Sequence, residues 1–254
     1  MTSRTLVISN PPHERVDLQK AAPVLGLIPV EFNLKSHYPI PEIWVAEGDP
    51  EAGIHAAEAL TEAGARVVLV SSDALAAIPE QLGVHKFAFG DAGLRVLLSD
   101  GPAEIPYDHP VTGVYCVPRA STGGPGGSSG SDTAAFLDLY LAGAGGLTRL
   151  CFSAERVDFA GLGADRVPSH AQNMARLVAR IEEAFTALRL DRRLVNMQIR
   201  RRTGAGAPAA GECDRRGYSF ASAGYDALLQ AVAPDLMEVK QPDWSSRLVF
   251  LTLR

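Results

Sequence analysis

Ten arginines stand between residues 176 and 216 (176, 180, 189, 192, 193, 200, 201, 202, 215 and 216), against five acids at 182, 183, 191, 212 and 214. That stretch carries a local net charge of +5, so the rest of a chain whose formal charge is -5 carries -10. A guanidinium is planar and forks onto phosphate or carboxylate, so the chemistry such a run offers is anion recognition. Arg200, Arg201 and Arg202 form its densest point, and Asp243-Trp244-Ser245-Ser246-Arg247 adds a second candidate contact, an aromatic anchor beside a cation. Aromatic residues are not interleaved with the arginines as single-strand nucleic-acid binders require.

Catalytic chemistry is harder to find. Six histidines, at 13, 37, 55, 85, 109 and 170, show no metal-ligand spacing with one another or with Cys116, Cys151 and Cys213. An odd number of widely separated cysteines makes no disulfide framework and fits a reducing compartment. The run Gly123-Gly124-Pro125-Gly126-Gly127 lacks the Gly-Lys-Ser/Thr ending of a phosphate loop, and Gly161-Leu162-Gly163 is too short for a dinucleotide fingerprint. No residue is read as catalytic, and neither a metal nor a cofactor is expected.

These residues must be carried by folded elements. With 46% apolar and 21% charged residues, the composition is that of a globular chain. No run approaches the roughly 20 apolar residues of a membrane span. Leu6, Val7 and Ile8 alone are too short a core for a signal peptide, so the expected location is cytoplasmic.

The first segment reads strand, helix, helix, strand, helix, strand. Thr5–Ser9 is a β-branched run stopped by Pro11-Pro12, and 17–25 places Leu18, Ala21, Ala22 and Leu25 on one helical face before Gly26. Pro29 opens a second short helix through Lys35. Ile43–Ala46 is a strand, Asp49-Pro50 starts a helix to Ala63 closed by Gly64, and Arg66–Val70 is a core strand.

The residues 16–20 (Val-Asp-Leu-Gln-Lys), Leu25-Gly26-Leu27, 39–48, 51–60 and Glu62-Ala63-Gly64-Ala65-Arg66-Val67 resemble the C-terminal domain of the bacterial ribosomal stalk protein, a fold shared with ClpS-type protease adaptors. The resemblance covers about the first seventy residues. It implies a βααβαβ sandwich that offers paired helices to partner proteins, with Lys20 at a basic position of the first helix, while Val30 and Asn33 stand where the family's second helix carries lysines. Under the adaptor resemblance Asn10 and His37 take the places of pocket residues, but Pro11 stands where an acidic residue would grip an α-amine.

From Gly83 the apolar period becomes two. Lys86–Phe89, Leu94–Leu98, Glu104–Tyr107 and Val111–Val117 read as strands separated by Gly90-Asp91, Asp100-Gly101 and Asp108-His109-Pro110. Residues 121–131 are Gly/Ser-rich and read either as a loop within one domain or as a linker between two. Phe136–Leu141, Thr148–Phe152 and Arg156–Phe159 resume the strands, and Ser169 caps an amphipathic helix to about Leu188. Over residues 84–189 this element order resembles a pleckstrin-homology-like barrel with a closing helix. Beyond it, Leu194–Ile199 reads as a strand, 200–216 as a basic loop, Tyr225–Val232 as a helix and Leu248–Leu253 as a terminal strand.

The expected fold class is thus α+β, with a small sandwich domain over 1–80, a barrel over 81–190 and an α/β extension over 191–254. The function expected from it is that of a non-enzymatic interaction or regulatory adaptor with a protein partner, contacted through Lys20, Lys35, Arg200, Arg201, Arg202, Trp244 and Arg247. A sensor that binds an anion or nucleic acid through 176–216 is the alternative, and an enzyme with an unrecognised site is the third reading.

Overall fold

A computed structural model describes residues 3–119, 135–198 and 241–254 of the 254. The Gly/Ser-rich segment 121–131, the basic loop 200–216 and the expected helix Tyr225–Val232 lie outside the described residues. Helices and strands both contribute heavily, in several sheets, so the chain is α+β. The described chain divides into two compact units: one holds residues up to Ala77 and most of the last helix, the other runs from Ile78 to the end of the last strand.

The first unit has the elements β1 (Thr5–Ser9), α1 (Leu18–Val24), α2 (Pro29–Ser36), β2 (Ile43–Glu47), α3 (Pro50–Glu62), β3 (Val67–Ser71) and α4 (Ser72–Ala76). Its sheet has the order β2-β1-β3 and is antiparallel throughout. Helices α1, α3 and α4 each start where the sequence supplies a capping side chain, Asp17, Asp49 and Ser71. The Asp17 carboxylate accepts from the N–H of Gln19 at 3.1 Å, and that of Asp49 from Glu51 at 3.0 Å, each satisfying a donor that has no partner inside the helix. Helix α3 lies close over the sheet, because a Cβ on Gly53 would come within 2.5 Å of the Thr5 side chain. Between sheet and helices sit Val7, Ala21, Ala22, Phe32, Trp44 and Leu60.

The second unit contains two sheets. Strands β5 (Lys86–Phe89), β6 (Gly93–Leu98) and β7 (Gly101–Pro106) form an antiparallel meander that follows the short β4 (Leu82–Gly83). A five-stranded sheet has the order β11-β8-β9-β10-β4, with β8 (Val111–Arg119), β9 (Phe136–Gly143), β10 (Gly146–Ser153) and β11 (Leu188–Gln198). Neither sheet closes into a barrel, so the expected closed barrel becomes two open sheets. Pro102 and Pro106 on β7 remove ladder donors, and β8 is paired on one side with β9 and on the other, in parallel, with β11. Helix α5 (His170–Ala184) contributes Met174, Leu177, Val178 and Ile181, at helical spacing, to one core with both sheets.

Three boundaries differ from the sequence reading. Arg156 lies in a turn instead of a strand, Asp158 makes only an isolated parallel bridge to Lys86, and the Asp158 carboxylate accepts from Ala160 N–H at 2.9 Å to open a 3-10 helix over Phe159–Asp165. Helix α5 stops at Ala184, since Leu188 joins β11 opposite Val111. Leu248–Leu253 is helical, part of α6 (Gln241–Leu253). A continuous apolar run does not reveal its period, and here Pro242 in the first turn marks a helix start. Its side chains from Ser245 to Leu251 are buried on every side, as in a helix enclosed by protein. No helix among the described residues is long and apolar enough to cross a membrane.

Candidate functional site

The α1–α2 pair is anchored by its inner face. Ala21, Ala22 and Phe32 are fully buried, and the Phe32 ring meets Trp44 edge-on at 5.3 Å. Pro29 fixes the first turn of α2, while the Glu31 carboxylate accepts from Ile28 N–H at 3.2 Å. Phe32 and Ser36, four apart, point inward. Val30 and Leu34, also four apart, share the opposite face and are 65% and 66% exposed, and Ile28 at the N-cap is 59% exposed. Two branched aliphatics on one eight-residue helix therefore stand in water with a third, Ile28, at its N-cap, each forgoing about 1.5–3 kcal/mol of burial. Scattered exposed apolar residues are ordinary, but a contiguous group on one helix marks a contact surface.

The two lysines expected to make contacts part company. Lys20 is exposed, its Nζ 3.9 Å from the Asp17 carboxylate, an ion pair too solvated to hold it. Lys35 Nζ lies 3.0 Å from Glu42 Oε2 with both side chains mostly buried, so its charge is spent joining α2 to the entry of β2. Asn10 gives its N–H to Arg66 O at 2.8 Å, ending the β1–β3 ladder, and His37 caps α2 with its Nδ1 donating to Asn33 O at 2.7 Å. The exposed trio was missed in the sequence. Its signal was present, because Ile28, Val30, Phe32 and Leu34 recur at every second position, a spacing that a helix distributes over opposite faces, so not all of them can face the core.

His13 underlies the same region. Its Nδ1 accepts from Arg66 N–H at 3.1 Å, which leaves the neutral ring's proton on Nε2, and its ring packs 5.0 Å from that of Trp44. Both His13 Nε2 and Trp44 Nε1 are buried without a hydrogen-bond partner. Burial, with smaller contributions from Arg66 and His37, holds the His13 pKa below the ordinary histidine value. The folded state then takes the proton less readily than the unfolded one. Its stabilising contribution is complete above about pH 6.5 and is lost as pH falls through the lowered folded value. The expected result is a urea midpoint that declines on acidification through this range, and a shallower decline in His13→Asn.

In the second unit, the start of α5 and the preceding 3-10 helix enclose a cleft of about 460 Å³. Its polar groups are mostly committed to the main chain. Asn173, buried, accepts from Val167 N–H at 2.8 Å and donates to Val167 O at 2.7 Å. His170 Nδ1 donates to Ala154 O at 2.7 Å, and its ring meets Phe159 edge-on at 5.7 Å. Among the described residues no three His, Cys, Asp or Glu side chains are grouped as metal ligands.

The five-stranded sheet buries a polar face. Asp138 and Arg149 are wholly buried, with Arg149 Nη2 2.5 Å from Asp138 Oδ2, Gln81 Nε2 3.1 Å from Asp138 Oδ1, and the guanidinium 5.3 Å from the Tyr140 ring centre. Register explains the grouping: Cys151 stands opposite Asp138, and Arg149 opposite Tyr140, on neighbouring strands. Cys116 is held far above the ordinary thiol pKa, first by burial and then by Asp138, which keeps it protonated and unreactive. Cys151 is likewise a buried free thiol, and Cys213 lies outside the described residues.

Of the basic run, Arg176, Arg180, Arg192 and Arg193 are tied down locally. Arg176 donates to Asp165 O, Arg180 stacks 4.4 Å from the Phe89 ring centre, Arg192 pairs with Glu182 at 2.7 Å and Arg193 with Asp191 at 2.9 Å. Arg200, Arg201 and Arg202 lie outside the described residues, as does the Trp244 side chain. Arg247 is buried at 6% exposure in α6, where it offers no exposed surface. No protein-family model, no curated protein and no solved structure matches this chain.

Proposed function

We propose that this chain is a non-enzymatic protein-interaction module whose first unit docks an apolar segment of a partner protein on the outer face of α1–α2. The observation that carries the reading is the exposed pair Val30 and Leu34 on a helix whose inner face is fixed by Phe32, with Ile28 exposed at its N-cap. Lys20 lies on the exposed side of the same pair and supplies a cation at the rim. The order βααβαβ with one antiparallel sheet supports the stalk- or adaptor-like reading of this unit, in which paired helices face the partner. Apolar anchors ringed by polar groups are the pattern of an interface centre, where desolvation of a few side chains dominates affinity.

The test is co-purification at native expression with the wild type and with Val30→Lys/Leu34→Lys. Both positions are exposed, so the variant's circular dichroism and melting are expected to match the wild type. Its retained partner is expected to fall at least tenfold, the equivalent of about 1.4 kcal/mol. A partner retained equally by both forms at physiological salt would refute the reading. A companion that is nucleic acid and dissociates as salt rises would favour the electrostatic alternative instead.

A further inference from the structure

We infer that His13 is an acid-released latch: its neutral ring holds the segment between β1 and α1 against the turn between α3 and β3, and protonation frees that segment together with the start of α1. Several hydrogen bonds fasten the segment. Asn10 N–H donates to Arg66 O at 2.8 Å, Arg66 N–H to His13 Nδ1 at 3.1 Å, the Arg66 guanidinium to Pro12 O at 3.4 Å, and Asp17 N–H to Ala63 O at 2.7 Å. Of these, only the bond to His13 passes through a group that titrates near neutral pH.

A neutral imidazole accepts at one nitrogen and an imidazolium at neither. A proton on Nδ1 therefore sets two N–H groups against each other across the 3.1 Å where one now donates. It also places a charge on a ring that packs 5.0 Å from Trp44 and whose Nε2 is buried. The charged groups facing the ring oppose that charge, because Arg66 from the start of β3 is cationic and His37 from the end of α2 becomes so on acidification. From β2 the neighbour is the uncharged Trp44, and Glu42 at the entry of that strand is held by Lys35 at 3.0 Å. Glu14 and Arg15, next along the segment itself, are exposed. A charged His13 is thus accommodated by release into water, where it regains ordinary histidine basicity.

The release reaches α1 because the connection is short. Asp17, four residues on, both caps α1 and donates its N–H to Ala63 O, and the Arg15 carbonyl lies against Gly64. A segment freed at His13 carries the cap with it. Control of partner docking by this latch rests on the α1–α2 reading above; the release itself does not.

The experiment is amide hydrogen exchange of the full chain at pH 7.5 and pH 5.5, corrected for the intrinsic pH dependence of exchange. The Arg66 and Asp17 amides are expected to lose protection together, several-fold and at most about tenfold, the limit for opening that gains one proton at the ordinary histidine affinity. Amides within α3 are expected to keep theirs, which separates a local release from loss of the whole unit. In His13→Asn, whose Oδ1 accepts from the Arg66 N–H but takes no proton, the two amides are expected to be equally protected at both pH values. Should that variant fold poorly, the wild-type comparison of Arg66 and Asp17 with α3 decides alone. Val30→Lys/Leu34→Lys is expected to release as the wild type does, so the latch and the docking of a partner fail separately. Wild-type protection at Arg66 and Asp17 that ignores pH, a fall shared equally by α3, or a fall that persists in a folded His13→Asn would each overturn the inference.

Discussion

Arg149→Leu is expected to destabilise the second unit by about 3–5 kcal/mol, because it leaves the Asp138 carboxylate charged and fully buried without its guanidinium. Asp138→Leu is expected to cost a similar amount for the converse reason. The informative variant is the double one. With both charges gone, neither partner strands the other, so Asp138→Leu/Arg149→Leu is expected to lose clearly less than the sum of the single changes. Chemical denaturation of the four forms measures this coupling directly. Strict additivity would mean that the pair is not a unit, despite its 2.5 Å contact.

Gly64→Ala is expected to cost about 3 kcal/mol and, with it, the geometry of the candidate surface. Gly64 has φ of +89°, and a Cβ there would lie 2.2 Å from the Arg15 carbonyl oxygen, a main-chain atom that cannot rotate aside. The same junction sets α1, since Asp17 N–H donates to Ala63 O at 2.7 Å. Gly26 supplies the control. Its φ is +66°, but nothing lies within 4 Å of a Cβ added there, so Gly26→Ala is expected to cost only about 1 kcal/mol from the left-handed conformation itself. Thermal melts of the two variants separate collision from conformational cost.

The elements that local chemistry specifies were legible in the sequence. Asp17, Asp49, Pro50 and Gly64 mark helix ends whatever surrounds them, and β1, β2 and β3 lie within a residue or so of where their β-branched runs put them. Local rules failed where a segment was uniformly apolar or decided by distant pairing. The run Leu248–Leu253 has no period to read, and it is a helix. The open pairing of β8 with β9 and β11 depends on contacts far apart in sequence, which element order alone does not contain.

The candidate site divides along the same line. Charge drew attention to Lys35 and Arg247, yet the fold buries the first in a pair with Glu42 and encloses the second in α6. The more telling residues, Val30 and Leu34, carry no charge, and only the burial of Phe32 on the inner face of α2 shows that they stand outside it. A charged residue announces itself in a sequence. An exposed aliphatic does so only after the core has been assigned.

Site-specific photocrosslinking in the native cell tests the docking surface most directly, with the crosslinker placed at position 30 and, as a control, at position 58 on the exposed side of α3. The account predicts one discrete crosslinked protein from position 30, absent from position 58 and lost when Leu34→Lys is added. Equal crosslinking from both positions, or a position 30 adduct that survives Leu34→Lys, would contradict it.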